Sequence, residues 1–291
     1  MRYDDLRASS NIEDRRGMGG FTKGGLGIGA IAILTLIGYA TGIDPRILIG
    51  GAEMVAGGGS QDVSPQGQQG VPTDQQGGFV ARVLGETEDV WTAVLPQQAG
   101  VQYQAPELVL YTGMTQSGCG TAQSAMGPFY CPVDRKVYLD TAFFHDMETK
   151  LGGGGAFPDA YVIAHEIGHH VQNLTGVLPT VQRYEAQAAD QATANQYSVR
   201  TELNADCLAG VWAYYMNQRH ANITDNDVRQ AVATASAIGD DRLQRASRGT
   251  VVPDSFTHGT SQQRVEWLTT GLQSGQIKDC NRVWHSLDPG Q

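Results

Sequence analysis

The stretch Asp159-Ala-Tyr-Val-Ile-Ala-His-Glu-Ile-Gly-His-His-Val-Gln-Asn-Leu174 decides the fold of this chain. It contains no proline. Pro158 stands just before it and Gly176 just after it, which are usual start and stop signals of a helix. Apolar residues recur along it at three- and four-residue spacing: Ile163, Ile167, Val171 and Leu174. This pattern predicts a helix with one face packed against a core.

Two histidines, His165 and His169, are four residues apart and therefore share a second face of this helix. Both imidazoles can reach one metal ion there, and Glu166 can reach water beside it. The adjacent His170 points about 100° round the helix and is not expected to share the ion. The alternative is a pair of partly exposed histidines on an ordinary helix.

A catalytic zinc ion usually has three protein ligands, so this pair needs a third. The sequence Thr201-Glu-Leu-Asn-Ala-Asp206 offers one, because Glu202 and Asp206 are four residues apart and share a helix face. Glu202 can complete the set with His165 and His169, while Asp206 can accept the outer N–H of a ligand imidazole. A solvated acidic helix face is the alternative.

The N-terminal part predicts a membrane anchor. Residues 24–43 carry no charge and are just long enough to span a bilayer as a helix. Arg15, Arg16 and Lys23 precede this run, so the positive-inside rule places the N-terminus in the cytoplasm and the C-terminal bulk outside it. We therefore expect a single-pass inner-membrane protein with its C-terminal domain on the periplasmic side. A cleaved signal peptide is the alternative.

The predicted domain organisation follows from these segments. It comprises a cytoplasmic tail at 1–23, a transmembrane helix at 24–43, a flexible Gly- and Gln-rich tether at 44–78, and a folded domain at 79–291. The 291-residue chain has a formal net charge of −10. This acidic charge argues against nucleic acid as a partner.

None of the four cysteines belongs to a CxxC pair, so a cysteine-rich zinc site is not expected. Disulfides persist outside the cytoplasm, where the sequence places all four. Cys119 and Cys131 bracket a Gly- and Pro-containing loop and are plausible partners, which leaves Cys207 and Cys280 to each other. Three connectivities are possible, and four buried free thiols are the alternative.

Strands come first and helices later, which predicts an α+β fold. The predicted strands are 107–112 and 136–140. One helix is predicted to start near residue 79, and five more to cover 143–149, 158–174, about 181–216, 225–246 and 261–272. The segment 124–130 is predicted as an edge strand, because Pro128 excludes an interior position. A peptide can pair with such an edge, with Met126 or Gly127 near the metal site. A loop closed by the neighbouring cysteines is the alternative.

Three longer motifs carry a family resemblance. They are His-Glu-Ile-Gly-His-His-Val-Gln at 165–172, Glu-Leu-Asn-Ala-Asp-Cys-Leu-Ala-Gly-Val-Trp-Ala at 202–213, and Asp-Ser-Phe-Thr-His-Gly-Thr-Ser-Gln-Gln-Arg at 254–264. Together with Arg-Arg-Gly at 15–17 and Gly-Pro-Phe-Tyr-Cys-Pro at 127–132, they resemble the YpfJ-like predicted neutral zinc metallopeptidases of bacteria. The resemblance spans nearly the whole chain and implies a zincin-like metallopeptidase domain with one zinc ion and a peptide or protein substrate.

The HExxH…ExxxD pattern is also similar to that of the wider gluzincins, including thermolysin-like enzymes and the prenyl-protein peptidases. This similarity implies roles for five residues: zinc ligands His165, His169 and Glu202, base Glu166, and Asp206 as the support of His165. His258 and Arg264 fit the spacing of a later histidine and arginine in the prenyl-protein peptidases.

His258 is the expected donor to the oxyanion of the reaction, with Tyr184 and Tyr197 as weaker candidates. A loop histidine without a role is the alternative. Arg264 is expected to hold Asp206 or Glu202, or else to lie on the surface.

The sequence thus predicts a membrane-anchored zinc-dependent endopeptidase, which hydrolyses peptide bonds with zinc-activated water and a glutamate base. A catalytically silent scaffold or binding protein of the cell envelope is the alternative. The presence of Glu166 favours the enzyme, because a scaffold that only binds metal needs no base at that position. An envelope protein without metal has little support.

Overall fold

The computed structural model describes residues 1–17, 67–150, 154–221, 223–248 and 250–287. The strands are β1 Ile12–Asp14, β2 Gln68–Gln69, β3 Glu107–Tyr111, β4 Met114–Ser117, β5 Gly120–Gln123, β6 Phe129–Cys131 and β7 Lys136–Asp140. The helices are α1 Gln75–Ala99, α2 Ala142–Lys150, α3 Ala156–Leu174, α4 Val177–Ala186, α5 Gln191–His220, α6 Asp225–Ala237, α7 Asp240–Arg248, α8 Ser261–Ser274 and α9 Ile277–Cys280. These residues form a mixed α+β fold, as the sequence predicted.

A five-stranded sheet has the order β2-β1-β3-β7-β6. Its three middle strands are parallel, and the outer strands β2 and β6 run antiparallel to their neighbours. Successive side chains of the middle strands are buried on opposite faces of the sheet, as the two-residue period of a strand requires. Leu108 and Leu110 belong to the main helical core, whereas Val109 and Tyr111 lie in a smaller cluster on the other face.

Helices α3 and α5 pack closely because Gly168 has no side chain. A Cβ at Gly168 would lie 3.0 Å from the backbone oxygen of Ala205 and 3.2 Å from its Cα. On another side of α5, Gly271 of α8 allows a still closer approach, since a Cβ there would lie 1.9 Å from the backbone oxygen of Cys207. These contacts place three helices around one core and fix their relative positions.

Strand β1 corrects the predicted membrane topology. Ile12 is fully buried, and β1 pairs with β3 from Ile12↔Leu108 to Asp14↔Leu110. A single membrane crossing would put residues 1–17 and 79–291 on opposite sides, whereas the sheet joins them. The prediction of a single-pass inner-membrane protein with a periplasmic domain is therefore wrong.

The charges that suggested this topology also have another role. Arg15 forms an ion pair with Glu13 at 2.7 Å, and Arg16 forms one with Asp14 at 2.7 Å. In the part of the chain that the structure describes, no helix is both long and apolar enough to cross a membrane. The run 24–43, which was predicted to be such a helix, lies outside the described residues. The described fold therefore includes no membrane helix, which corrects the predicted fold class.

Two disulfides join Cys119 to Cys131 and Cys207 to Cys280, as the sequence favoured. The first ties β6 to the turn between β4 and β5. The second ties α5 to α9, across 73 residues of sequence. Because a longer closed loop restricts the unfolded chain more, we expect the second disulfide to stabilise the fold by about 4 kcal/mol and the first by about 3 kcal/mol.

The two disulfides should differ in their sensitivity to reductant. Cys119 is exposed, whereas Cys207 and Cys280 are both fully buried. Since a thiolate must reach a sulfur atom to reduce it, mild reductant under native conditions should open Cys119–Cys131 first. Alkylation of the freed thiols followed by peptide mass spectrometry measures this order. Alkylation of Cys207 and Cys280 at the same rate as the other pair would contradict the predicted order.

Candidate metal centre

Helices α3 and α5 bring together three side chains that can bind one metal ion. Ligand atoms of His165, His169 and Glu202 all lie within 4.8 Å of one another. The carboxylate of Glu202 lies 3.0 Å from Nε2 of His165 and 3.4 Å from Nε2 of His169. The spacing of each pair in the sequence explains part of this cluster, and the close packing of the two helices supplies the rest.

The outer nitrogen of each imidazole has a partner of its own. Nδ1 of His165 donates to Oδ1 of Asp206 at 2.8 Å, and Nδ1 of His169 donates to Oε1 of Gln172 at 3.0 Å. The Gln172 amide nitrogen donates to the backbone oxygen of Thr201 and to the side chain of Asn204, so its oxygen faces His169. Both histidines therefore present Nε2 to the centre, as partners of this kind ensure in metal sites.

Asp206 is fully buried and has three side-chain partners. Arg264 donates to it twice, from Nε and Nη2, each at 2.9 Å. The hydroxyl of Tyr161 donates to the same carboxylate at 2.6 Å. Burial alone would raise the pKa of Asp206, but the charges of Arg264 and His165 lower it to about 2. The carboxylate thus stays ionised and holds His165 in one orientation.

The electrostatics of the cluster favour a positive charge between the ligands. Burial tends to lower the pKa of His165, but the charge and hydrogen bond of Asp206, together with Glu202, raise it to about 10. Burial would raise the pKa of Glu202, yet His169 and His165 hold it well below its usual range.

The donor set fits zinc. Two neutral imidazole nitrogens and one carboxylate are a ligand set that catalytic zinc takes, with a further position for water or substrate. The groups on the outer nitrogens also match what zinc-bound histidines require. His165, His169 and Glu202 would hold the ion.

The three ligands lie in a cleft of about 570 Å³. Glu166 lines it beside them and is only 7% exposed. Among the described residues, none forms a hydrogen bond or an ion pair with the Glu166 carboxylate. A carboxylate in this position can accept a proton from water that enters the cleft.

His258 lies in the same cleft, on the loop between α7 and α8. Asp240 holds this loop, because one of its oxygens accepts the backbone N–H groups of Thr257, His258 and Gly259. Nδ1 of His258 lies 3.0 Å from the Thr257 hydroxyl and 3.4 Å from Oδ1 of Asp240. Within the described residues its Nε2 has no hydrogen-bond partner.

The weaker tyrosine candidates form a pair of their own. Tyr184 and Tyr197 stack on each other with ring centroids 5.6 Å apart, and Tyr184 is half exposed. Neither ring lines the cleft around the ligands. Their position does not favour them as donors.

The predicted edge strand is partly as expected. Strand β6 covers only Phe129–Cys131, at the edge of the sheet, whereas Ser124–Met126 forms one 3-10 turn. Met126 and Gly127 line the cleft with the metal ligands, so they remain candidates for contact with substrate. The turn replaces the first part of the predicted strand because Gly127 turns the chain at a φ of 73°.

A buried histidine, His170 of α3, connects this edge strand to that helix. Nε2 of His170 donates to the backbone oxygen of Gln104 at 2.6 Å, so its Nδ1 accepts from the Tyr130 hydroxyl at 3.0 Å. Asn173 donates to the same hydroxyl. Burial lowers the pKa of His170 to about 4, which keeps the ring neutral. As predicted, His170 points away from the metal ligands.

Sequence reasoning gave no role to several residues that build the site. Tyr161 and Gln172 lie four residues before His165 and three after His169, so the helix period places them on the ligand face. That spacing was a usable signal. Asp240 and Tyr130 carried no such signal, because their partners lie at least 17 residues away along the chain.

Comparison with known proteins agrees with this geometry. The Escherichia coli (strain K12) protein YpfJ is 45% identical over 297 residues, which cover 99% of this chain and 100% of that protein. The Mycobacterium tuberculosis (strain ATCC 25618 / H37Rv) protein Rv2575 is 44% identical over 202 residues, 66% of this chain and 65% of that protein. No solved structure matches the chain. Residues 1–283 match the family described as "Putative neutral zinc metallopeptidase", and the chain belongs to that family.

Proposed function

We propose that this protein is a zinc-dependent endopeptidase, with His165, His169 and Glu202 as zinc ligands. The observation that carries the proposal is the position of Glu166. Its carboxylate lines the cleft beside the ligand set and is not used in any hydrogen bond or ion pair with the described residues. A side chain held there without a structural partner fits a base better than a support of the fold.

Zinc, when bound, polarises a carbonyl oxygen and lowers the pKa of water to near neutrality. Glu166 accepts a proton from the attacking water and passes it to the amine that leaves. Nε2–H of His258 donates a hydrogen bond to the oxyanion that develops on the scissile carbonyl. Asp206 and Gln172 keep the two imidazoles oriented while this happens.

The substrate in this proposal is an extended peptide. The outer edge of β6 offers backbone groups that can pair with such a peptide, with Met126 and Gly127 beside it. Phe143 also lines the cleft, and its ring lies beside Gly127, so this wall is partly apolar. This wall can orient the peptide across the ligand set.

The first test of the proposal is zinc content. The unaltered protein should hold about one zinc ion per chain. His165→Ala and Glu202→Ala each remove one of three ligands, so both variants should lose most of that zinc. His145→Ala is the matched control, because that histidine is exposed and lies outside the cluster. Metal analysis after dialysis, with circular dichroism to confirm folding, gives the result. Full zinc occupancy in folded His165→Ala or Glu202→Ala would show that the ligands are assigned wrongly.

The second test separates an enzyme from a scaffold. Glu166→Gln keeps the size of the side chain but removes the base, so zinc should stay while peptide hydrolysis falls by at least about a hundredfold. Digestion of a peptide library by both forms measures this. Equal hydrolysis by the two forms would rule out Glu166 as the base, and no hydrolysis by either would favour a silent scaffold.

A further inference from the structure

Glu185 is a second acidic group in the cleft. Helix α4 forms one wall of the cleft with Leu178, Gln182 and Glu185. These residues are separated by four and three positions, so they share one helix face and point to the same side. The same cleft contains Glu166 and the metal ligands.

The carboxylate of Glu185 is fixed but not neutralised. The hydroxyl of Ser198, on α5, donates to its Oε1 at 2.9 Å. None of the ion pairs among the described residues includes Glu185. Asp206 differs in this respect, since it pairs with Arg264. Asp240 accepts three backbone N–H groups and lies 3.4 Å from Nδ1 of His258. Glu166 resembles Glu185 in having no ion pair among the described residues, but it is assigned as the base.

The cleft as a whole is acidic. Among the described residues that line it, Arg264 is the one lysine or arginine, and its charge is balanced by Asp206. Burial raises the pKa of Glu185, and the charge of Glu202 raises it further. A carboxylate in this environment is stabilised by any cation that enters the cleft.

We propose that Glu185 binds the side chain of a lysine or arginine in the peptide substrate and so gives the cleft a preference for a basic residue near the scissile bond. The proposal rests on the proposed function and deepens it. Met126 and Phe143 line the same cleft, so it offers apolar as well as acidic contacts to the residues of an extended peptide.

A structural role for Glu185 predicts something different. If its bond to Ser198 served only to hold α4 against α5, a glutamine at this position would serve equally well, because its side-chain oxygen also accepts a hydrogen bond. Glu185→Gln therefore keeps the structural contact and removes only the charge. Glu266→Gln is the matched control, since it removes one exposed negative charge outside the cleft.

The experiment uses peptides that carry either lysine or acetyl-lysine at one scanned position, because acetylation removes the charge and keeps the length. Binding is measured by fluorescence anisotropy on zinc-loaded protein with Glu166→Gln, which does not consume the peptide. Cleavage is measured with Glu166 intact. At one position, lysine should be favoured about tenfold in binding and in kcat/KM, as one partly buried ion pair provides.

Adding Glu185→Gln should abolish this preference, Glu266→Gln should leave it unchanged, and Glu185→Lys should shift the preference to an acidic residue. A preference for lysine that survives Glu185→Gln, or equal treatment of lysine and acetyl-lysine at every position, overturns the proposal. Binding with this preference but no cleavage would refute the peptidase alone, and cleavage without the preference would refute the role of Glu185 alone. If no peptide is bound or cleaved, both proposals fail.

Discussion

The contact between Gly168 and Ala205 sets the distance between α3 and α5, and the candidate metal centre depends on that distance. Two ligands come from one helix and the third from the other, so their nitrogen and oxygen atoms meet only where the backbones are close. A Cβ at Gly168 would be 3.0 Å from the backbone oxygen of Ala205, so α5 would have to move by a few tenths of an ångström. The sequence showed a glycine in the middle of a helix, where it costs about 1 kcal/mol relative to alanine. The close approach of Ala205 explains why a glycine is present at this position despite that cost.

Around this contact, buried polar groups form a continuous network. Arg264, Asp206 and His165 follow one another in hydrogen-bond contact, and Tyr161 closes the group. A buried charge is costly unless it is paired, and here each charge has a partner with good geometry. The network joins α8 to the helices of the ligands. The orientation of the ligands therefore depends on the whole helical core, and the two short ligand motifs alone do not determine it.

The sequence predicted the parts of the fold and site that depend on local periods. The ligand helix, the pairing of Glu202 with Asp206 on one face, and strands β3 and β7 all follow from spacing within a few residues. Strand β1 was missed because its three residues show no pattern, and its partner β3 lies about 95 residues later in the chain. The predicted helix at 181–216 is two helices, because Asp190 caps a new one by accepting from the backbone N–H of Thr193.

The errors share a physical cause. Arg15 and Arg16 were interpreted as charges that orient a membrane helix. In the folded domain Arg15 donates to the backbone oxygen of Gln116, and Arg16 pairs with Asp74, so both have partners far away along the chain. Such long-range consequences of β pairing are invisible to a rule that counts charges along a segment. The same holds for Glu185, whose chemical meaning appears only when α4 is seen to line the cleft of the ligands.

The central claim is that His165, His169 and Glu202 hold one zinc ion. A crystal of the zinc-loaded protein, measured on both sides of the zinc absorption edge, tests it most directly. The account predicts one strong anomalous peak at about 2.0–2.2 Å from Nε2 of both histidines and from the Glu202 carboxylate. An anomalous peak at other side chains, or none in this cleft at full zinc occupancy, would contradict it.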